Sequence, residues 1–128
     1  MKNVLFLFIL LNFSIGFSQT ESPEKIVQIQ LEAYNNRNID AFLATYDDNI
    51  KIYDFPNTLS YEGKEKMRKI YSSLFKEVPN LLCEIKKRII IGNKVIDEEY
   101  VRVNNEFVSA VAIYEVKNNK IIKVTFIH

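Results

Sequence analysis

Three side chains of this sequence combine a titratable group with a setting that could make it work: Asp54, Glu98 and His128. Residues 49–57 read NIKIYDFPN, in which Ile50 and Ile52 alternate with Lys51 and Tyr53 at the period of a half-buried strand. The alternation runs into Asp54, beside Phe55 and Pro56, where the chain must turn. A carboxylate there is either a turn former or a base at the mouth of an apolar pocket, with Tyr53, Phe55 and Pro56 as part of its walls. In the second case desolvation raises its pKa and makes it a stronger base toward a carbon acid. His128 is the only histidine, and it shares the parity of Val124 and Phe126, which are expected to line such a pocket. Its alternative is a solvated chain end. A base at Asp54, a second acid at Glu98 and an imidazole at His128 would suffice for proton transfer.

Other chemistries find no comparable pattern. One histidine and one cysteine far apart give no metal-ligand spacing, and Asp47-Asp48 precede a strand rather than forming a calcium loop. No glycine-rich phosphate loop, nucleophile elbow or Cys–His signature occurs, and neither a metal nor a cofactor is expected. Tyr34, Tyr46, Tyr61 and Tyr71 read as core or interface residues.

The totals narrow the class. Lys2, the apolar run Val4–Leu11 and the small residues Gly16 and Ser18 form a signal-peptide pattern with cleavage before Gln19. Residues 1–18 are then removed, residues 19–128 form one domain, and the protein is exported to the periplasm or beyond, free of the membrane once cleaved. Setting Lys2 aside from 17 basic residues leaves 16 against 16 acidic ones, a neutral balance that argues against a nucleic-acid surface. Cys83 is the sole cysteine, so no internal disulfide forms and the core must carry stability.

Ser22-Pro23-Glu24 starts a helix running to about Asn36, with Ser22 as N-cap and Pro23 at the first helical position. Asn38 caps a second helix to about Tyr46, ended by Asp47-Asp48-Asn49. A third over 63–76 is marked by Met67, Ile70, Tyr71, Leu74 and Phe75 at helical spacing. From Leu81 the period becomes two. Four strands follow, separated by Gly92-Asn93, Asn104-Asn105 and Asn118-Asn119, all hairpin chemistry. The pattern predicts an α+β domain with helices on one face of a curved antiparallel sheet.

A two-residue turn at Gly92-Asn93 pairs Ile91 with Lys94, Ile89 with Ile96, Arg88 with Asp97, Lys87 with Glu98 and Lys86 with Glu99. The face holding Cys83, Ile85, Ile89, Ile91, Ile96 and Tyr100 is the more apolar, so it is expected to meet the helices. Glu98 would then point inward, either paired with Lys87 or functional. The opposite face would carry Arg88, Asp97 and Glu99.

The stretch YNNRNIDAFLATYDDNIKIYDFPN, with YEGKEKMRKIYSSLF, PNLLCEIKKRIIIGNKVIDEE and AVAIYEVKNNKIIKVTFIH, resembles the SnoaL-like and ketosteroid-isomerase branch of the nuclear-transport-factor-2-like superfamily. The resemblance spans nearly all of residues 24–128. It implies a cone-shaped domain, three helices closing over a curved sheet around a deep apolar pocket, and a homodimer. It places Asp54 at the position of the isomerases' general base. The helix tyrosine that holds the enolate oxygen in that family falls on Gln30, and the family's protonated aspartic acid falls near Ala112. Ala112 has no side-chain donor, a departure from the pattern that steroid isomerisation uses.

Replacement groups are Tyr100, Tyr114 and Glu98, provided that the Asn104-Asn105 hairpin has a three-residue loop. That register also turns Ala110 and Ala112 inward, leaving volume for a ligand. Three readings remain open: proton transfer on a small apolar carbonyl or polycyclic compound, binding of a small apolar molecule without chemistry, and a dimeric interaction module.

Overall fold

The computed structural model describes residues 20–128; the expected signal peptide and its cleavage point lie outside the described residues. Helix α1 spans Pro23–Asn35, with the Ser22 hydroxyl accepting from the Lys25 amide. Helix α2, Ile39–Ala44, is capped by the Asn38 side chain, and α3 covers Lys64–Glu77. The strands are β1 Tyr46–Asp54, β2 Thr58–Glu62, β3 Leu82–Ile91, β4 Lys94–Val103, β5 Glu106–Lys117 and β6 Lys120–Ile127. They form one curved, unclosed sheet in the order β2-β1-β6-β5-β4-β3.

The architecture is the expected α+β cone, with two differences in the sheet. β2 was not anticipated: it is a polar, mostly exposed edge strand that folds back on β1 and therefore lacks a one-sided apolar pattern. β1 runs parallel to β6, so the sheet is mixed rather than wholly antiparallel. β2, α3 and three hairpins intervene between these two strands, and the returning chain meets β1 in the same direction. The segment Asp47-Asp48-Asn49 belongs to β1, at an irregularity in that parallel pairing, instead of ending the second helix.

α1 lies against β3, β4, β5 and β6, while α3 covers β1 and β2. Between helices and sheet sit Val27, Phe42, Leu43, Ile50, Met67, Val95, Ile121 and Val124, all nearly or fully buried. Phe42 packs against Tyr34, Tyr46, Tyr71 and Phe75, with ring centroids 4.6–6.1 Å away. Asn35 ties α1 to β3 twice: its amide donates to the Cys83 carbonyl at 3.0 Å and its oxygen accepts from the Cys83 amide at 2.8 Å.

Just beyond that clamp, β3 bulges. Ile85 faces Glu99 and Lys87 faces Glu98, leaving Lys86 without a place in the register. One extra residue reverses the parity of everything after it. Cys83 and Arg88 consequently share the inner face, together with Val95, Asp97, Glu99 and Val101 of β4. The expected pairings from Lys87–Glu98 to Ile91–Lys94 are present, but Lys86–Glu99 is not. Cys83 faces inward as expected, but beyond the bulge the inner face is the opposite of the one chosen by counting aliphatic residues. Ile89 and Ile91 stand exposed on the outer side, while Asp97 and Glu99 are buried.

Candidate functional site

The helices and the inner sheet face enclose a cavity of about 200 Å³. α1 contributes Gln30, Leu31 and Tyr34, and β1 and α3 add Tyr46 and Tyr71. From the sheet come Cys83, Glu99, Val101, Val103, Val108, Ala110, Tyr114 and Phe126, and His128 follows β6 at the mouth. The wall is largely apolar and aromatic, and among the described residues Glu99 gives it its one side-chain carboxylate.

Glu99 is 8% exposed. The Tyr114 hydroxyl donates to its Oε1 at 2.9 Å. Burial pushes the carboxyl up to about 7, against the opposing pull of the Tyr114 hydrogen bond; nearby Asp97 raises it further and Arg88 lowers it. The group therefore takes up or releases a proton near neutral pH, the range in which an acid–base catalyst is most effective. Tyr46, Tyr71 and Tyr114 are held well above the ordinary phenol range, first by burial and then by neighbours that include Glu99. Gln30 sits among them, 6% exposed, and its hydrogen bond to Tyr46 works against that rise.

Behind the cavity Asp97, 1% exposed, is clamped by Arg88: Nε to Oδ1 at 2.7 Å and Nη2 to Oδ2 at 2.9 Å. A further arm of the guanidinium donates to the Gln28 oxygen at 2.9 Å. The bond to Asp97 raises the Arg88 pKa and keeps the charge fixed. This fork satisfies both carboxylate oxygens, as a buried charge requires.

Asp54 is at the rim. It ends β1 opposite Phe126 of β6, and the chain then turns through Phe55, whose amide donates to the Phe126 carbonyl at 2.8 Å. The Asp54 side chain is half exposed, and its Oδ1 lies 3.6 Å from His128 Nε2. The His128 ring stacks on Phe126 at a centroid distance of 6.0 Å. The sequence-derived candidates thus divide. Gln30, Ala110, Tyr114, Phe126 and His128 line the cavity, and Asp54 touches it only through His128. Ala112 and Val124 face inward but are sealed in the core.

Four candidates lie elsewhere. Glu98 is on the outer face, in a shallow groove with Lys87, Ile89, Ile96 and Val111. Tyr100 is on the same outer side, stacked on Phe107 at 4.8 Å and with Lys86 Nζ 4.8 Å from its ring centre. Tyr53 carries Lys123 Nζ 4.7 Å above its ring, and Phe55 is 58% exposed. The β3 bulge explains Glu98 and Tyr100, because it hands the inner face to the odd residues of β4. The Asn104-Asn105 hairpin has a two-residue turn rather than three, with Val103 paired to Glu106. This second error compensates the first on β5, so Ala110, Ala112 and Tyr114 face inward as expected. Glu99 is the residue that sequence reasoning missed. Its available signal was Arg88 facing Asp97, a fork and carboxylate suited to burial as a pair.

A helical cover over a curved mixed sheet, with a buried carboxylate among aromatic and aliphatic walls, defines an α+β cone with an internal cavity. Residues 27–124 match the sequence profile of the SnoaL-like domain, and the chain belongs to that family. Among curated proteins none matches this sequence. A cystatin fold protein of Novosphingobium aromaticivorans is 24% identical and superposes with a TM-score of 0.77, over 85% of this chain and 100% of the other. An NTF2-like protein of Cytophaga hutchinsonii gives 16% and 0.72, over 86% and 92%. An LEH-like epoxide hydrolase of M. tuberculosis gives 16% and 0.68, over 82% and 80%. These likenesses establish a shared fold.

Proposed function

We propose that the protein is an exported pocket enzyme that moves a proton on a small apolar carbonyl compound, with Glu99 as the acid–base group. The observation that supports this is the Glu99 carboxyl itself: enclosed by apolar and aromatic walls, hydrogen-bonded by Tyr114 and poised near neutrality. An ionised Glu99 would take a proton from the carbon next to the carbonyl and return it from its neutral form. Gln30 and Tyr46 supply polar hydrogens at the same wall for the developing enolate oxygen, whose stabilisation is commonly the larger contribution. Asp54 and His128 would serve at the entrance. An apolar cavity of about 150 Å³ holds benzene, so one of about 200 Å³ suits a single ring better than a fused polycycle.

The test is deuterium uptake next to the carbonyl of small cyclic ketones in heavy water, followed by proton NMR. Exchange above the buffer rate that disappears in Glu99→Gln supports the reading; exchange unchanged in that variant overturns it. Binding without turnover is favoured by the aliphatic wall of Leu31, Val101, Val103, Val108 and Ala110. Under that reading, ligand-dependent thermal stabilisation survives Glu99→Gln and no ketone exchanges.

A further inference from the structure

We propose that the cavity around Glu99 also binds a compact organic cation, an alkylammonium ion whose charge is wrapped in methyl groups. The sign of the charge follows from the wall. Among the described residues Glu99 supplies its only side-chain carboxylate, and neither lysine nor arginine lines it. The nearest guanidinium, Arg88, is held by both oxygens of Asp97 and by Gln28, so its charge is matched before any ligand arrives. His128 at the mouth has Asp54 beside it.

The walls favour the same sign. Tyr34, Tyr46, Tyr71 and Tyr114 line the same cavity as the carboxyl, and aromatic rings carry negative potential on their faces while phenol oxygens carry lone pairs. A bare ammonium or a metal ion fits poorly. The first is strongly hydrated and needs acceptors for its four N–H donors, and the second needs more oxygen ligands than one carboxylate offers. A methylated ammonium has no such demand, and its methyl groups match the aliphatic part of the wall. The volume sets the size. A cavity of about 150 Å³ takes the six carbons of benzene, so about 200 Å³ suits a cation of well under about ten heavy atoms.

The titratable and charged groups that face Glu99 are known from each packed element. Tyr34 of α1, Tyr46 of β1 and Tyr71 of α3 stay neutral because burial holds them far above the ordinary phenol range. Burial raises the Cys83 thiol of β3 and the Tyr114 phenol of β5 in the same way. Arg88 and Asp97 act as a matched pair, and His128 stands at the opening. Glu99 is therefore the carboxyl whose ionisation should govern cation affinity between pH 6 and pH 8, and Glu99→Gln separates its effect from that of His128 at the opening.

The proposal shares the cavity of the proton-transfer reading but requires no turnover. Ketone exchange without cation binding would sink this proposal and leave that reading standing, and the reverse pattern would do the opposite. The experiment is titration calorimetry of the purified protein with choline and with its neutral isostere 3,3-dimethylbutan-1-ol, at pH 6 and pH 8. The expected result is choline binding at pH 8 at least about tenfold tighter than the alcohol, and about tenfold tighter than at pH 6, since a carboxyl titrating near 7 changes its ionised fraction by about that factor. The preference should vanish in Glu99→Gln. If that variant does not fold, heats of choline binding measured at pH 7 in buffers of different ionisation enthalpy decide instead, because cation binding must expel part of a proton. No choline binding, equal affinity for the two probes, or choline affinity independent of pH overturns the proposal.

Discussion

The Tyr114 hydroxyl donates a hydrogen bond to Glu99 across 2.9 Å, although Tyr114 sits opposite Val95, four positions from Glu99 along β4. The two side chains reach toward each other along the inner face instead of lying side by side, and the small Ala110 and Ala112 leave the space between them. Donation to an ionised carboxylate stabilises the charged form. Tyr114→Phe should therefore raise the Glu99 pKa above its value of about 7, by on the order of one unit. Carboxyl-carbon NMR titration reads this directly, and an unchanged or lowered pKa would mean that the hydrogen bond does not favour the ionised form.

Glu99 also gives stability a dependence on pH whose sign is opposite to that of a salt-bridged carboxylate. Its folded pKa is raised from 4.5 to about 7, so between those values the folded state holds more protons than the unfolded one. Stability from this residue is then greatest below about pH 4.5, falls as pH rises toward 7, and is level above that. The full swing is roughly 3 kcal/mol, the shift multiplied by about 1.4 kcal/mol per unit. Glu99→Gln should flatten this part of the curve, and the variant should gain on the wild type between pH 5 and pH 8. Urea melts of both proteins across that range measure the difference, with groups common to both cancelling. A wild type that gains on Glu99→Gln as pH rises would contradict the buried, neutral carboxyl.

Much of the fold was legible because its signals are local. Ser22-Pro23 and Asn38 mark helix starts through side chains that reach amides three residues on. Gly92 and the Asn118-Asn119 pair mark turns whose left-handed backbone suits them. What failed was one residue of register at Lys86, which no local pattern announces and which turned the β4 alternation over. The aliphatic count then favoured the wrong face. An exposed Ile89 or Ile91 costs little, and a buried polar pair is the more telling observation. Glu99 was hidden for that reason, whereas Tyr114 and Ala110 were found on β5, where the two register errors cancelled. The parallel β1–β6 contact joins ends of the chain that no short-range signal connects.

The Arg88–Asp97 pair should behave as a buried charge whose removal is felt in halves. Asp97 is 1% exposed, and Arg88→Met would leave its carboxylate without the fork that satisfies it. Breaking such a pair costs about 3–5 kcal/mol, whereas replacing both members with apolar residues is often neutral. Arg88→Met alone should lower stability by an amount in that range, and Arg88→Met with Asp97→Leu should recover most of it. Denaturant melts of the two variants test this. Equal losses in both would mean that the pair contributes through packing rather than charge.

The two carboxylates of the site are separable by their exposure. Asp54 and His128 have side chains 51% and 65% exposed at 3.6 Å, where solvent screens the pair. Its contribution to stability is then below about 1 kcal/mol, and Asp54→Asn should fold normally. Under the proposed chemistry Asp54 acts at the entrance while Glu99 meets the reacting carbon. Asp54→Asn should lower ketone exchange by less than about tenfold, and Glu99→Gln by about a hundredfold or more, the usual scale for removing a positioned base. Exchange rates of the two variants, each checked for folding by its thermal melt, decide between the carboxylates. A large loss in Asp54→Asn with little change in Glu99→Gln would move the base to the rim, where the resemblance to the isomerases places it. The Glu99–Tyr114 pair would then be a structural feature of the cavity wall.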